Sequence, residues 1–136
     1  MAPTSSERQT IHPKPGGSRH GKGMVPGVKI GGLLFFSAVR GGDADRNMSH
    51  DTREQTVQAF KNLRLMLEGE GASLDNVAKV TVYFQDLAYR AAFHEVWMEV
   101  FPENPPARSA MQVANASANQ NGYAHFMMDV IAVAPE

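Results

Sequence analysis

The sequence predicts a single α+β domain in the order β-β-α-β-α-β-β, one sheet with two helices on one face. Three observations lead there. The chain has 136 residues, 43% of them hydrophobic, which suits one core and one domain. Short apolar or alternating runs recur at about 27–31, 33–39, 79–84, 108–114 and 123–133, as strands require. Between the second and third runs, and again between the third and fourth, apolar residues return every three or four positions, the period of a helix. A helix between two strands is a crossover unit, and two such units give one sheet with both helices on one face.

The elements follow in order. Residues 1–23 are rich in Pro, Gly, Ser and His and read as an irregular or flexible arm, or as an arm laid against the domain or a neighbouring subunit. The domain proper spans 24–136. Gly31-Gly32, between VKI and LLFFSA, is a two-residue hairpin turn, because glycine adopts the positive φ angles that turn needs. RGGDADRNMSH is a polar loop. From Asp51 to Glu70, Val57, Phe60, Leu63 and Leu67 share one helical face; Ser49 or Asp51 caps the start, and Gly69 and Gly71 end it. Val80, Val82 and Phe84 alternate with Lys79, Thr81 and Tyr83 in a half-buried strand. Asp86 caps a second helix over about 88–101, with Phe93, Val96, Trp97, Val100 and Phe101 as its apolar face and Pro102 as its stop. The polar loop NASANQNG joins the last two strands. No helix is left for the second face of the sheet, so its apolar residues favour another subunit and hence a homo-oligomer.

Composition narrows the function. With no cysteine, thiol catalysis and thiolate metal ligation are excluded. The histidines show no ligand spacing and the acidic GGDAD loop lacks the other positions of a calcium loop, so no metal site is expected. A net charge of −1 argues against a nucleic-acid partner. No apolar run approaches the roughly 18 residues of a membrane span, and the N-terminal segment lacks the apolar centre of a secretory signal. The expected location is the cytoplasm.

One residue stands out. In NPPARSAMQVA, Arg108 follows a proline pair at the mouth of an alternating strand. Its guanidinium is a rigid fork of donors that stays charged and matches a carboxylate in two parallel hydrogen bonds. From position alone it is equally a surface arginine or an intersubunit ion pair.

EQTVQAFKNLRLMLEGEGASLDNVAKVTVYFQDL, then FHEVW, then FPENPPARSAMQVA, resemble the RidA/YjgF family of reactive imine and enamine deaminases over about residues 24–133. The most specific pieces are Gln55, Asn62-Leu63, Gly71-Ala72-Ser73, the DNVAKVTVYFQDL strand and PPARSAMQVA. The resemblance implies a chorismate-mutase-like fold, a homotrimer with clefts between subunits, and no cofactor. It implies that Arg108 grips a substrate carboxylate and that backbone groups at Ser37 and Ala38, where the family has an SG step, help hold the ligand. Met24 falls where a pocket tyrosine stands in the family, and Met127 falls on the glutamate that positions the attacking water. His94 falls where the family often has asparagine near the cleft.

A thioether cannot take a proton from water. By alternation, His125 and Asp129 share a strand face with Met127, which makes His125 the nearest candidate base; its other reading is a polar residue at the strand edge. Asp129 is read as structural, and Met24, Met111, Met127 and Met128 as a softer cleft or simply as core filling. The expected function is hydrolytic deamination of a small imine or enamine carboxylate. The alternative is a non-catalytic carboxylate-metabolite-binding trimer, and an endoribonuclease is less favoured by the charge.

Overall fold

The computed structural model describes residues 7–12, 23–116 and 124–135. Its strands are β1 (Gln9–Ile11), β2 (Gly27–Ile30), β3 (Leu33–Val39), β4 (Val77–Phe84), β5 (Ala107–Gln112) and β6 (Phe126–Val133); its helices are α1 (Thr52–Glu68) and α2 (Arg90–Val100). The fold is α+β, as expected, and the sheet is mixed, in the order β1-β2-β3-β6-β4-β5. β6 lies antiparallel between β3 and β4, and β5 runs parallel to β4 at the edge.

The expected arm is not wholly irregular. Gln9–Ile11 pairs with β2, and Ile11 is buried in the core. Burial of that side chain, together with three pairs on the sheet edge, gives the short strand its reason to order. The rest of the arm lies largely outside the described residues, as does most of the NASANQNG loop. The hairpin turn has φ of 56° at Gly31 and 84° at Gly32, the conformation for which glycine is suited.

One core joins helices and sheet. Phe60 of α1, Phe93 and Trp97 of α2, Phe84 of β4 and Phe126 of β6 touch edge to face or tilted, with centroids 5.0–6.2 Å apart. Removing one such ring from a packed core costs about 3–5 kcal/mol. Along β4 and β6 burial alternates, with Val80, Val82, Phe84, Met128, Val130 and Ala132 inward. One core assignment changes. Val57 is exposed, and Gln55, Thr56 and Ala59 are buried instead, because the face that meets the sheet is rotated from the purely apolar stripe. Of the two readings of Met128, cleft or core, the structure has the core. Asp86 caps a single 3-10 turn at Leu87–Tyr89 rather than α2 itself, which follows without a side-chain cap. Asp51 is the cap of α1, accepting from the Glu54 amide at 3.0 Å.

The other sheet face carries Leu33, Phe35, Tyr83, Met111, Met127, Ile131 and Val133, half-buried or exposed, and among the described residues no helix lies over it. Among the described residues no helix is long and apolar enough to cross a membrane.

Candidate functional site

Arg108 sits on the edge strand β5, opposite Val80 in the parallel register. Facing residues in a sheet point to the same side, so Arg108 points with Val80 toward the helices. There its guanidinium lies over the Trp97 ring, 4.7 Å from the centroid, and 6.0 Å from that of Phe93. Such a contact stabilises a cation by roughly 1 kcal/mol at a partly wet site. Arg108 Nη1 donates to His94 Nδ1 at 3.1 Å. A guanidinium only donates, so that ring nitrogen accepts and His94 carries its proton on Nε2. Burial first, and the Arg90 charge second, lower the Arg108 proton affinity. Arg108 and His94, singled out separately in the sequence, therefore meet.

Met127 belongs to the opposite side of the sheet. It pairs with Tyr83, which pairs with Met111. Its sulfur accepts from Arg40 Nη2 at 3.2 Å, a contact the sequence reading missed. The cause is a β-bulge. Phe36 pairs with Val130 and Val39 with Met128, so three steps on β3 face two on β6, and one extra residue at Ser37-Ala38 reverses the alternation. Val39 turns into the core, and Arg40, next along, faces Met127. Arg40 Nε donates to the Ala116 carbonyl at 2.9 Å. Burial lowers the proton affinity of Arg40, and the charge of Asp129 partly offsets that.

Ser37 and Asp129 are joined on the same side. Ser37 Oγ donates to Asp129 Oδ1 at 2.7 Å, and Tyr83 Oη to Oδ2 at 3.1 Å. Burial, then the Asp129 charge and the hydrogen bond to it, raise the Tyr83 pKa above its ordinary value, so Tyr83 stays a donor. Ala38 is half-buried in the bulge, and Met24 is 62% exposed before β2.

His125 is not on the Met127 face. The strand begins at Phe126, and at His125 the chain turns toward α1. The ring is buried, stacks on Tyr89 with centroids 3.9 Å apart and planes 5° from parallel, and has Nδ1 2.7 Å from Thr52 Oγ1. Its backbone amide donates to Gln55 Oε1 at 2.9 Å. Burial, then the His50 charge, lower its pKa, with Asp51 opposing; the folded state favours the neutral ring. Alternation failed here because it applies only inside a strand.

The motif residues of the resemblance latch loops. Asn62 Nδ2 donates to the carbonyls of Arg40 and Gly42 at 2.9 and 2.8 Å, and Gln55 Nε2 to that of Ser49 at 2.7 Å. Gly41 lies against the backbone of α1, where a Cβ would collide with the Gln55 carbonyl. Among the described residues no cluster of three His, Cys, Asp or Glu is placed to hold a metal ion.

Comparison with known proteins agrees with this architecture. The family described as Endoribonuclease L-PSP matches residues 22–133. A RutC family protein of Pyrococcus abyssi is 38% identical over 89 residues, 64% of this chain and 70% of its own length. RidA from an Antarctic Psychrobacter superposes with a TM-score of 0.81 at 28% identity, covering 92% of this chain and 98% of that one. TdcF of E. coli, solved with bound serine, shares the fold with a TM-score of 0.79 at 23% identity, covering 92% and 98%.

Proposed function

Because this chain belongs to the Endoribonuclease L-PSP family, the RidA/YjgF group, we propose that it binds a small imine or enamine carboxylate and hydrolyses it to release ammonia. Arg108 holds the carboxylate. The observation that carries this reading is the Arg108 fork, stacked on Trp97 and oriented by His94. The bound serine of TdcF supports a ligand with a carboxylate. In the reaction water adds to the C=N carbon, the nitrogen gains a proton, and the tetrahedral adduct collapses to a ketone and ammonia. Ser37 and Ala38 hold the reacting end, and Met24 and Met127 line the cleft. We place those groups across a homotrimer interface formed by the uncovered sheet face, whose exposed Leu33, Phe35, Met111 and Val133 support contact with other copies.

Met127 supplies no base, so positioning and charge stabilisation carry the catalysis. His125, neutral and buried, acts in this reading as a positioning residue for the start of β6 and for Tyr89. A second reading, a non-catalytic carboxylate-binding trimer, is favoured by the Arg40 contact to the Met127 sulfur, which occupies the spot where the family's acid stands. The net charge of −1 argues against RNA cleavage despite the family's descriptive name. The proposed location is the cytoplasm; a relative in Schizosaccharomyces pombe is named as mitochondrial, and fractionation decides between the two.

A semicarbazide-competition assay with iminopropanoate tests the reaction. Slow but enzyme-dependent loss of the imine supports deamination; no acceleration, with carboxylate binding intact, supports the binder. Sedimentation equilibrium tests the assembly, and a stable monomer at micromolar concentration would remove the intersubunit cleft.

A further inference from the structure

α2 divides its charges by face. Glu95 and Glu99 reach Arg53 of α1, at 3.9 and 2.6 Å. Arg90 and His94 are four residues apart, hence neighbours along one side of the helix, and that side meets Arg108. His94 touches Arg108 directly, and the Arg90 charge presses on it. Among the described residues no carboxylate pairs with Arg90 or Arg108. Arg90 thus lies on the side of α2 whose His94 touches Arg108, while the acids of the same helix reach Arg53.

We infer that Arg90, His94 and Arg108 form one anion site that takes two charges: the ligand carries a second anionic group, carboxylate or phosphate, besides the carboxylate held by Arg108. The inference rests on the carboxylate reading of Arg108 given above. Like charges held close repel one another, so a dianion relieves a repulsion that a monoanion relieves only in part. The Nε2–H of His94, whose Nδ1 accepts from Arg108, adds a further donor. Arg90 is exposed, so its share is modest and screened by salt.

Calorimetric titration of the full chain with three keto acids tests the inference. α-Ketobutyrate carries one charge; α-ketoglutarate carries a second carboxylate and phosphohydroxypyruvate a phosphate, and all three are ketone counterparts of α-imino acids. At low salt at least one dianion binds roughly fivefold tighter than α-ketobutyrate, and the better dianion identifies the second group. The preference shrinks as salt is added. Arg90→Gln weakens the binding of the doubly charged acids more than that of α-ketobutyrate and so removes the preference, whereas Arg108→Gln weakens all three. Dianions no tighter than α-ketobutyrate, or a preference that survives Arg90→Gln, overturn the two-charge site and leave the carboxylate site standing. Equal α-ketobutyrate binding by the intact Arg108→Gln protein, or no binding of any probe by the wild type, overturns the carboxylate reading and this inference together.

Discussion

Arg40 and Arg108 are both half-buried arginines, and they do opposite things. Arg40 spends its donors inside the chain, on the Ala116 carbonyl and the Met127 sulfur, with the Asp129 charge offsetting part of the effect of its burial. Arg108 has an aromatic wall beneath it, one imidazole beside it and a second arginine as its charged neighbour. The first pins the end of β3 to the segment before the last strand. The second, under the proposed function, offers an oriented cation to a ligand. The two differ in where their donors end, since residue type and exposure are alike.

The comparison is broken most severely at Gly41, which carries the loop beyond Arg40 past α1. Gly41→Ala drives a Cβ into the helix backbone, and the fold loses about 3 kcal/mol or more, read as a lowered urea midpoint. Next in size is Arg108→Lys. It keeps the charge and loses the fork, so carboxylate affinity falls at least roughly tenfold while the sedimentation profile is unchanged. Calorimetry reads the first and ultracentrifugation the second; unchanged affinity would assign Arg108 a structural role like that of Arg40.

Met127→Glu sharpens the contrast from the other side. Arg40 captures the new carboxylate in an ion pair, which raises stability by about 1 kcal/mol with little gain in imine turnover. Adding Arg40→Leu frees the acid, and turnover in the semicarbazide assay then rises. A large gain from Met127→Glu alone would show that Arg40 leaves that position open.

The smallest effect is on the pH dependence of stability. Burial lowers the His125 pKa in the folded state, so below the unfolded value of about 6.5 the unfolded chain binds more protons. Stability therefore falls as pH drops through that value and on toward the folded pKa. In His125→Asn this part of the acid slope is missing, and melting temperatures between pH 7 and pH 5 converge with those of the wild type. A parallel pH dependence in the two proteins would place the acid sensitivity elsewhere.

The one-dimensional pattern determined a good deal by itself. Strand and helix periods give the element order, because side-chain burial imposes those periods locally. The proline pair and alternation mark Arg108, and the same periodicity yields most of the core, including Phe60, Phe93 and Trp97. Three matters belonged to the tertiary structure alone. The insertion of β6 between β3 and β4 depends on pairing between distant segments, which no local period records. The bulge at Ser37-Ala38 reverses a face by one extra residue, and only the register with β6 reveals it; that is why the contact of Arg40, first residue of its loop, with Met127 is not visible in the sequence. His125 left its predicted face because a strand's alternation ends with its hydrogen-bonded ladder, after which burial and the hydroxyl of Thr52 decide where a side chain goes.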